Sequence, residues 1–271
     1  MKALASLAPE TARALRGLLF DLDDTLLSHG VLTRAAYDAL WDLKDAGLRL
    51  VAVTGRPSGW GEVIARQWPI DGAVTENGAV VIARAGESAG LARFERCDET
   101  ERRGRRIRLA RIVDEVRATV PEARLTDDVD ARRSDVTWDI GERVKLPPDR
   151  VAAILHTIAA AGARSFTSSV HVHATFDTDD KASGAIAYLA RAFGEDAGAA
   201  TSQRWAFVGD SGNDAACFSA FRTTFAVANV RAHLARIPVT PRYVAGAEMG
   251  EGFAEIAQAI VRARVAVASD V

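Results

Sequence analysis

Residues 17–26 have the sequence GLLFDLDDTL, and the rest of the chain is organised around this segment. The short apolar run predicts a buried strand, and it ends abruptly in acidic residues. Ligands of an open α/β sheet bind just beyond the carboxyl ends of its strands, so we expect Asp21 and Asp23 at the rim of a parallel sheet. Two carboxylates this close repel each other unless a cation or a shared proton intervenes. A hard divalent ion such as Mg²⁺ takes oxygen ligands, and one carboxylate could then attack while its neighbour handles protons.

Three more apolar segments repeat the pattern of a buried strand with a polar end. They cover residues 48–53, 72–74 and 205–208. Helical stripes accompany them along the chain, beginning with one that Thr33 is expected to cap. This alternation predicts an α/β fold with a doubly wound parallel sheet. Residues 3–16 are rich in alanine and leucine and predict a short lead-in helix.

The alternation of strands and helices is interrupted after about residue 83. We expect residues 84–98 to be irregular, as a crossing into a second unit. The next segments predict the order αββαββ, with helices over 99–120 and 147–162 and strands over 123–126, 134–140, 163–167 and 170–176. That order predicts an antiparallel sheet with both helices packed on one face. The expected organisation is a core of residues 1–83 and 180–271 with an inserted α+β cap of residues 84–179.

The last predicted strand of the cap indicates which face of that sheet is open. Val172 and Ala174 alternate with His171, His173 and Thr175, so the three polar side chains face away from the helices. The two histidines have no further ligands to complete a zinc site. Contact with a substrate and a merely solvated polar face are equally supported alternatives for them.

Composition excludes several classes of protein. The 271 residues are 48% hydrophobic and 26% charged, and the formal net charge is −2, which offers no global field for nucleic acid or an anionic membrane. No apolar run approaches the ~20 residues that a membrane span needs. The N-terminal segment lacks the apolar stretch of a signal peptide, so we expect a cytoplasmic location. Cys97 and Cys217 lack metal-type spacing and are expected to be free thiols.

An arginine-rich segment from Arg102 to Arg111 raises the alternative of a nucleic-acid site. Acidic neighbours balance much of its charge, and Arg111 and Glu115 have the i,i+4 spacing of a helical ion pair. The solvated outer face of the cap helix is the better explanation of this segment. We therefore expect neither a nucleic-acid partner nor a membrane partner.

Three predicted strand ends and one helix start supply a consistent set of polar side chains. These are Asp21 and Asp23 after the first strand, Thr54 after the second, Asp210 and Asp214 after the fourth, and Lys181 at the start of the helix that follows the cap. Three or four carboxylates suffice to hold Mg²⁺, which commonly keeps some water and binds a phosphate oxygen. A hydroxyl and an ammonium suit the remaining oxygens of a transferring phosphoryl group.

These segments resemble the four motifs of the haloacid dehalogenase-like superfamily. The matching residues are DLDDT at 21–25, TGR at 54–56, Lys181, and GDSGND at 209–214. The TENGA segment at 75–79 and the αββαββ insertion resemble the Cof-type branch with a C2 cap. That branch includes sucrose-phosphate, trehalose-phosphate and mannosyl-3-phosphoglycerate phosphatases, and phosphomannomutase. Asp24 is a departure, because many members carry glycine at that position.

The resemblance implies a role for each of the motif residues. Asp21 would be the nucleophile that forms an aspartyl-phosphate, and Asp23 would protonate the leaving alcohol and then activate water. Thr54 and Lys181 would hold the phosphoryl oxygens. The Mg²⁺ ligands would be Asp21, Asp210, Asp214 and the backbone carbonyl of Asp23. In an alternative, Asp214 supports a ligand instead of contacting the metal.

Five further residues are candidates for contact with the substrate: Gly55, Arg56, Asn77, His171 and His173. Arg56 could contact either the cap or the substrate. Asn77 could be a left-handed turn residue before Gly78, or a polar group at the hinge of the cap.

The resemblance implies a Mg²⁺-dependent phosphatase acting on a small phosphorylated metabolite, with a sugar phosphate as the expected class. Asp23 separates the chain from the carbon–halogen hydrolases of the superfamily, which lack this second aspartate. One alternative is a phosphomutase, which returns the phosphoryl group to the sugar. Another is a binding or regulatory protein without activity. The sequence leaves the identity of the substrate and the oligomeric state open.

Overall fold

Two β-sheets, one large and one small, organise the molecule. The computed structural model describes residues 1–85, 90–168, 170–196, 198 and 204–265. The strands are β1 (Lys2–Ala3), β2 (Gly17–Phe20), β3 (Arg49–Val53), β4 (Gly72–Thr75), β5 (Val80–Arg84), β6 (Leu91–Glu95), β7 (Arg124–Leu125), β8 (Asp135–Asp139), β9 (Arg164–Thr167), β10 (His171–Thr175), β11 (Trp205–Gly209), β12 (Thr223–Ala226) and β13 (Tyr243–Val244). The helices are α1 (Pro9–Ala14), α2 (Arg34–Asp45), α3 (Ser58–Gln67), α4 (Glu99–Thr119), α5 (Pro148–Ala160), α6 (Lys181–Phe193), α7 (Ala215–Ala220) and α8 (Met249–Val265).

The large sheet has the strand order β1-β13-β12-β11-β2-β3-β4-β5-β6. In this order, the first seven strands, from β1 across the sheet to β4, are parallel. The last two, β5 and β6, pair antiparallel at one edge. Leu18 and Phe20 of the central β2 belong to an apolar cluster with α2 and α8, whereas Leu19 belongs to a cluster with α6 and α7. Helices therefore cover both faces of a mostly parallel sheet, which confirms the predicted doubly wound α/β fold.

The N-terminal segment differs from the predicted lead-in helix. Lys2 and Ala3 form the edge strand β1, which pairs in parallel with β13. A 3₁₀ turn over Leu4–Ser6 follows, and only α1 is α-helical. The backbone N–H of Lys2 donates to the carbonyl of Arg242 at 2.7 Å. A strand of two residues has no periodicity of its own, so only its partner strand specifies it.

The prediction that residues 84–98 are irregular is wrong for the segment that forms β6. This strand pairs with β5 in an antiparallel hairpin, with Val81 opposite Phe94. Phe94 packs against the apolar cluster of α6 and α7, which anchors the strand to the core. The strand β6 forms because the edge of β5 is available for hydrogen bonding. The sequence of residues 91–95 is too polar to predict a strand by itself.

The small sheet has the order β7-β8-β10-β9, and every pairing in it is antiparallel. Both α4 and α5 pack on one of its faces. Their shared apolar cluster includes Ile112 of α4, Ile154 of α5, Trp138 of β8 and Val172 of β10. The predicted order αββαββ, with its one helix-covered face, is confirmed.

We predicted a solvated outer face for the arginine-rich segment of α4, and this prediction is wrong for part of the segment. Arg102 is buried at 3% exposure, and its guanidinium binds Glu95 at 2.6 Å and Asp177 at 2.6 Å. These two carboxylates lie on the two chain segments that enter and leave the smaller unit. Arg108 stacks on the ring of Phe176 at 3.6 Å. Tertiary partners distant in sequence therefore take up part of this positive charge.

Two predictions about the chain as a whole can be compared with the structure. Across the described residues, none of the helices combines the length and the apolar character needed to cross a membrane. Cys97 and Cys217 are both free thiols, as predicted. The sequence also predicts a loose tail over residues 265–271, and these residues lie outside the described part of the chain except for Val265, which ends α8.

Candidate active site

The carboxyl ends of β2 and β11 bring two aspartates to the same edge of the sheet. Phe20 and Val208 are register partners on these adjacent parallel strands. The backbone N–H of Asp21 continues the pairing and donates to the carbonyl of Val208 at 2.9 Å. Asp210 is the first residue after β11, so both aspartates leave the sheet side by side. An apolar strand followed at once by a carboxylate is thus sufficient to place each group.

A buried cluster of three carboxylates and one ammonium lies at this edge. Carboxylate oxygens of Asp21, Asp210 and Asp214 all lie within 4.8 Å of one another. The Nζ atom of Lys181, the first residue of α6, is 2.9 Å from Asp21 Oδ1 and 2.8 Å from Asp214 Oδ1. All four residues are at most 4% exposed. The structure therefore brings together four of the residues predicted from separate motifs.

The electrostatics of this cluster favour an added cation. Burial, together with the nearby Asp214 and Asp23, raises the pKa of Asp21 to about 7 although Lys181 acts to lower it. Burial and the charges of Asp214 and Asp21 raise the pKa of Asp210 to about 9. Three carboxylates share one ammonium, so the fully ionised cluster would carry a net negative charge. Oxygen ligands and uncompensated negative charge suit a hard divalent cation such as Mg²⁺.

Asp214 has a supporting position within the cluster. One of its oxygens accepts from Lys181, and the other accepts from the backbone N–H of Asp210 at 2.9 Å and of Ser211 at 3.2 Å. Asp214 thereby holds both the ammonium and the loop that carries Asp210. These contacts favour the alternative in which it supports a ligand, and direct metal binding by Asp214 stays a prediction.

Two residues that we did not predict hold the carboxylate of Asp210. The hydroxyl of Thr25 donates to its Oδ1 at 3.1 Å, and the side-chain amide of Asn229 donates to its Oδ2 at 2.9 Å. The same amide donates to the backbone carbonyl of Asp24 at 2.9 Å. Thr25 lies inside the motif at 21–25, and Asn229 lies just beyond β12. The sequence signal that could have identified Asn229 is a polar residue shortly after the end of an apolar strand, here β12.

Thr54 lies at the end of β3, next to β2 in the sheet. It is 1% exposed, and its hydroxyl accepts a hydrogen bond from the backbone N–H of Arg56 at 3.1 Å. Its backbone carbonyl accepts from the N–H of Asn77 at 3.1 Å. Thr54 therefore reaches the expected edge of the sheet within a tightly bonded loop, and its contact with a phosphoryl group stays a prediction.

Arg56 contacts Asp23, a partner that we did not predict. Its Nε atom is 2.9 Å and 3.0 Å from the two carboxylate oxygens of Asp23, and its Nη2 atom is 2.5 Å from Oδ1. The guanidinium lies 3.9 Å from the centre of the Trp60 ring. The side chain of Asp23 is 48% exposed, in contrast to the buried cluster. The general acid of the prediction is thus held by a stacked arginine at the mouth of the site.

The two predicted substrate-binding histidines have different surroundings. His173 is buried, and its Nδ1 atom lies 2.9 Å from Asp135 Oδ2 and 3.0 Å from the hydroxyl of Thr137. Burial lowers its pKa, although Asp135 acts to raise it. His171 is partly exposed, with Nε2 2.8 Å from a carboxylate oxygen of Glu142. His173 is therefore not on a solvated face, and contact of either ring with a substrate stays a prediction.

Asn77 combines features of both alternatives that the sequence left open. Its φ of 54° is left-handed, as expected for a turn residue before Gly78. It is also buried, and a Cβ atom on Gly55 would lie 3.1 Å from its side-chain oxygen. Asn77 thus packs against the loop that carries Thr54. The structure places it beside the site without assigning it a contact to substrate.

Comparison with protein families and curated sequences gives one match. Residues 18–90 match a family model described as haloacid dehalogenase-like hydrolase. This range includes the motifs around Asp21, Thr54 and Asn77. No curated protein sequence matches the chain.

Solved structures resemble nearly the whole chain. A Thermoplasma acidophilum protein has a TM-score of 0.70 at 18% identity, covering 91% of this chain and 98% of its own. A protein from Bacteroides thetaiotaomicron, studied among phosphatases of the haloalkanoate superfamily, has a TM-score of 0.64 at 17% identity, covering 94% and 98%. The sucrose-phosphatase of Synechocystis, solved with sucrose and phosphate, has a TM-score of 0.63 at 16% identity, covering 91% and 98%. At these identities the likeness concerns the fold.

Proposed function

We propose that this chain is a haloacid dehalogenase-like, Mg²⁺-dependent phosphatase of a small phosphorylated metabolite, because residues 18–90 match the haloacid dehalogenase-like hydrolase model and the fold resembles that of solved phosphatases. The class of substrate that we expect is a sugar phosphate. In this proposal the large sheet and its helices are the catalytic core, and the small sheet with α4 and α5 is a cap. Because β6 pairs within the large sheet, we place the entry into the cap after Glu95 and keep its end near residue 179.

The buried cluster of Asp21, Asp210, Asp214 and Lys181 is the observation that carries the proposal. Burying three carboxylates with one ammonium costs free energy of folding, which argues against a purely structural role for the cluster. Transfer of a phosphoryl group needs a nucleophile, a cation and donors for the phosphoryl oxygens. The cluster supplies a candidate nucleophile, candidate ligands for the cation and a candidate donor, from the ends of β2 and β11 and from the start of α6.

In the first half of the proposed reaction, a carboxylate oxygen of Asp21 attacks the phosphorus atom. The bond between phosphorus and the leaving oxygen breaks, and Asp23 gives its proton to the departing alcohol. The product on the protein is an aspartyl-phosphate. Lys181 and the hydroxyl of Thr54 hold phosphoryl oxygens, which stabilises the charge that develops on them.

In the second half, Asp23 removes a proton from a water molecule, whose oxygen attacks the phosphorus of the aspartyl-phosphate. The bond between phosphorus and the Asp21 oxygen breaks, so inorganic phosphate leaves and the carboxylate of Asp21 is restored. One residue thus acts first as an acid and then as a base. Both oxygens of Asp23 contact Arg56 in this structure, so the guanidinium lies beside the group that carries out each proton transfer.

The residues that would hold Mg²⁺ are Asp21, Asp210 and the backbone carbonyl of Asp23, with Asp214 as the adjoining group. When bound, the ion would supply positive charge that offsets the negative charge of the phosphoryl oxygens. The hydrogen bonds from Thr25 and Asn229 fix the direction of the Asp210 carboxylate. Two supports of this kind are typical of carboxylates that hold a metal.

A sugar phosphate is the expected substrate class for three reasons. The motifs resemble those of the Cof-type branch, and the fold is similar to that of the Synechocystis sucrose-phosphatase. The cap also offers hydroxyl, imidazole and carboxylate groups on the sheet face opposite its helices. A screen of phosphorylated sugars, polyols and cofactors, with detection of inorganic phosphate, would define the substrate.

Asp21→Asn is the variant that tests the proposed reaction. Turnover should fall by orders of magnitude, because an amide cannot form the aspartyl-phosphate. The variant should stay folded, since an uncharged isostere relieves repulsion within the cluster. Phosphate release in Mg²⁺ and in a chelator, together with thermal unfolding, measures both effects. Asp42→Asn, on the exposed side of α2, is the matched control.

Two outcomes would contradict the proposed phosphatase activity. One is a wild-type protein that releases no phosphate from any ester of the screen in Mg²⁺, which favours the regulatory alternative. The other is release only in the presence of an activating bisphosphate, which favours the phosphomutase. Equal turnover of Asp21→Asn and wild type would refute the assignment of the nucleophile.

A further inference from the structure

Glu76 is a buried carboxylate that the proposed reaction does not use. It follows β4 directly, is 4% exposed, and has a left-handed φ of 50°. Within the described part of the chain, no lysine or arginine forms an ion pair with it within 4.0 Å. A carboxylate buried without a cation must be compensated by hydrogen-bond donors.

Four donors from two parts of the molecule bind the carboxylate of Glu76. The backbone N–H of Ser58 donates at 2.9 Å, that of Arg133 at 3.0 Å, and that of Ser134 at 2.5 Å. The hydroxyl of Ser134 adds a fourth bond at 2.6 Å. Ser58 is the first residue of α3 in the core, whereas Arg133 and Ser134 immediately precede β8 in the small sheet. One carboxylate thus joins the two units.

The backbone of the same turn holds the loop that carries Thr54. The N–H of Glu76 donates to the carbonyl of Arg56 at 3.0 Å, and the N–H of Asn77 donates to the carbonyl of Thr54 at 3.1 Å. Because Ser58 begins the helix after this loop, the side chain of Glu76 also bonds the far end of it. The loop is therefore hydrogen-bonded to the turn at three points, two of them through Glu76 and one through Asn77.

Residues 131–134, which we name the docking segment, lie against this loop. The Nη1 atom of Arg132 donates to the carbonyl of Gly55 at 3.0 Å, and the hydroxyl of Ser58 donates to the carbonyl of Ala131 at 3.3 Å. A Cβ atom on Gly59 would lie 2.9 Å from that of Ala131, so the two backbones approach closely. The docking segment thus covers the loop from its cap side.

We infer that Glu76 is a positioning residue that couples the seating of the cap to the geometry of the Thr54 loop. Three of its four donors belong to the docking segment, so they are lost together when that segment moves away. The turn at Glu76 must then rearrange or take up water, and it no longer holds the Thr54 loop in a fixed position. The docking itself does not depend on the proposed function, whereas its effect on catalysis rests on that function.

Hydrogen exchange in Glu76→Gln tests the coupling without any substrate. A glutamine has nearly the shape of glutamate, but its NH₂ group faces N–H donors and cannot accept from them. We expect peptides covering residues 54–60 and 129–136 to exchange together, about tenfold faster or more than in wild type, since hydrogen bonds to charged groups are the strong ones. Exchange in the core strand β2 should not change. Glu115→Gln, on the exposed side of α4, is the matched control.

The inference is overturned if either peptide of Glu76→Gln keeps its wild-type exchange rate, because coupling requires both to respond. If Glu76→Gln does not fold, hydrogen exchange in Ser134→Ala is judged by the same criterion, since this variant removes one hydroxyl donor and keeps the carboxylate.

Hydrolysis of p-nitrophenyl phosphate in Mg²⁺ tests the effect of the coupling on catalysis. We expect kcat/KM to fall in Glu76→Gln and to fall less in Ser134→Ala, and unchanged values in both would overturn the catalytic part. A wild type without hydrolysis would instead count against the proposed function, and the exchange result would still decide the docking.

Discussion

At the scale of single residues, Lys181 offsets part of the negative charge of the acidic cluster. Its ammonium contacts Asp21 and Asp214, and the pKa of Lys181 lies well above its usual value because the two aspartates outweigh the effect of burial. Removing the ammonium leaves carboxylates facing each other without compensation. The same group is proposed to hold a phosphoryl oxygen, so stability and activity both depend on it.

We predict that Lys181→Met lowers the free energy of unfolding by about 3 kcal/mol in a chelator and abolishes phosphatase activity, because it removes one partner of a buried ion pair. Urea unfolding measures the first effect. The control is Lys44→Met, since Lys44 pairs with Asp71 at a more exposed position and should cost at most about 1 kcal/mol. Equal losses in the two variants would contradict the special role of the cluster.

At the scale of elements, the start of α6 decides where Lys181 lies. Gly78 has a φ of 106°, and a Cβ atom there would lie 2.1 Å from the backbone carbonyl of Asp180, the residue that caps α6. The turn after β4 therefore packs directly against the N-terminus of this helix. Gly78 has no catalytic group of its own, but its packing determines where Lys181 lies.

The variant Gly78→Ala should destabilise the protein by about 3 kcal/mol or more, through left-handed strain and through overlap with α6. Gly162→Ala is the matched control, since Gly162 also has a positive φ of 72° but nothing lies near its Cβ position. We expect that control to cost about 1–2 kcal/mol from strain alone. Chemical denaturation of both proteins gives the difference, and similar costs would show that the contact with α6 is unimportant.

The pairing of β8 with β10 predicts sensitivity of the cap to acid. Burial lowers the pKa of His173 below 6.5. Burial acts to raise the pKa of Asp135, but Arg132 and His173 together lower it. Both shifts mean that protons bind the unfolded chain more readily. The stability contributed by His173 is therefore fully present above about pH 6.5 and is lost as the pH decreases, whereas that of Asp135 is lost only at more acidic pH.

We expect His173→Asn to show a shallower loss of thermal stability between pH 7 and pH 5 than wild type. Each unit by which the pKa of His173 is lowered corresponds to about 1.4 kcal/mol of acid destabilisation, and the variant cannot contribute it. His156→Asn, on the exposed side of α5, should keep the wild-type profile. Parallel pH profiles for His173→Asn and wild type would refute this assignment.

At the scale of the whole molecule, a bound cation should stabilise the fold. The cluster joins β2, β11 and α6, so relief of its negative charge acts on the centre of the core. We predict that Mg²⁺ at 100 times its Kd raises the free energy of unfolding by about 2.7 kcal/mol relative to a chelator. Thermal unfolding measures this shift, which should be absent in Asp210→Asn. A shift of equal size in that variant would place the ion elsewhere.

Local pattern was sufficient for the elements that matter most to the site. Apolar runs ending in carboxylates predicted β2 and β11, and adjacent parallel strands necessarily end at one edge of a sheet. Helix caps and alternation likewise predicted the αββαββ order of the small sheet. Each of these signals lies within a few residues along the chain, which is why the fold class and the membership of the buried cluster could be predicted.

Contacts between distant segments could not be predicted in this way. The β5–β6 hairpin depends on an available sheet edge, the contact of Arg56 with Asp23 joins two strand ends, and Glu76 bonds Ser134 across two units. In each case the partner is chosen by proximity in space after packing, and many polar residues of the chain have the same local surroundings. Residue types and strand ends follow from the local order of apolar and polar side chains, whereas the pairing of charges follows only from the packed chain.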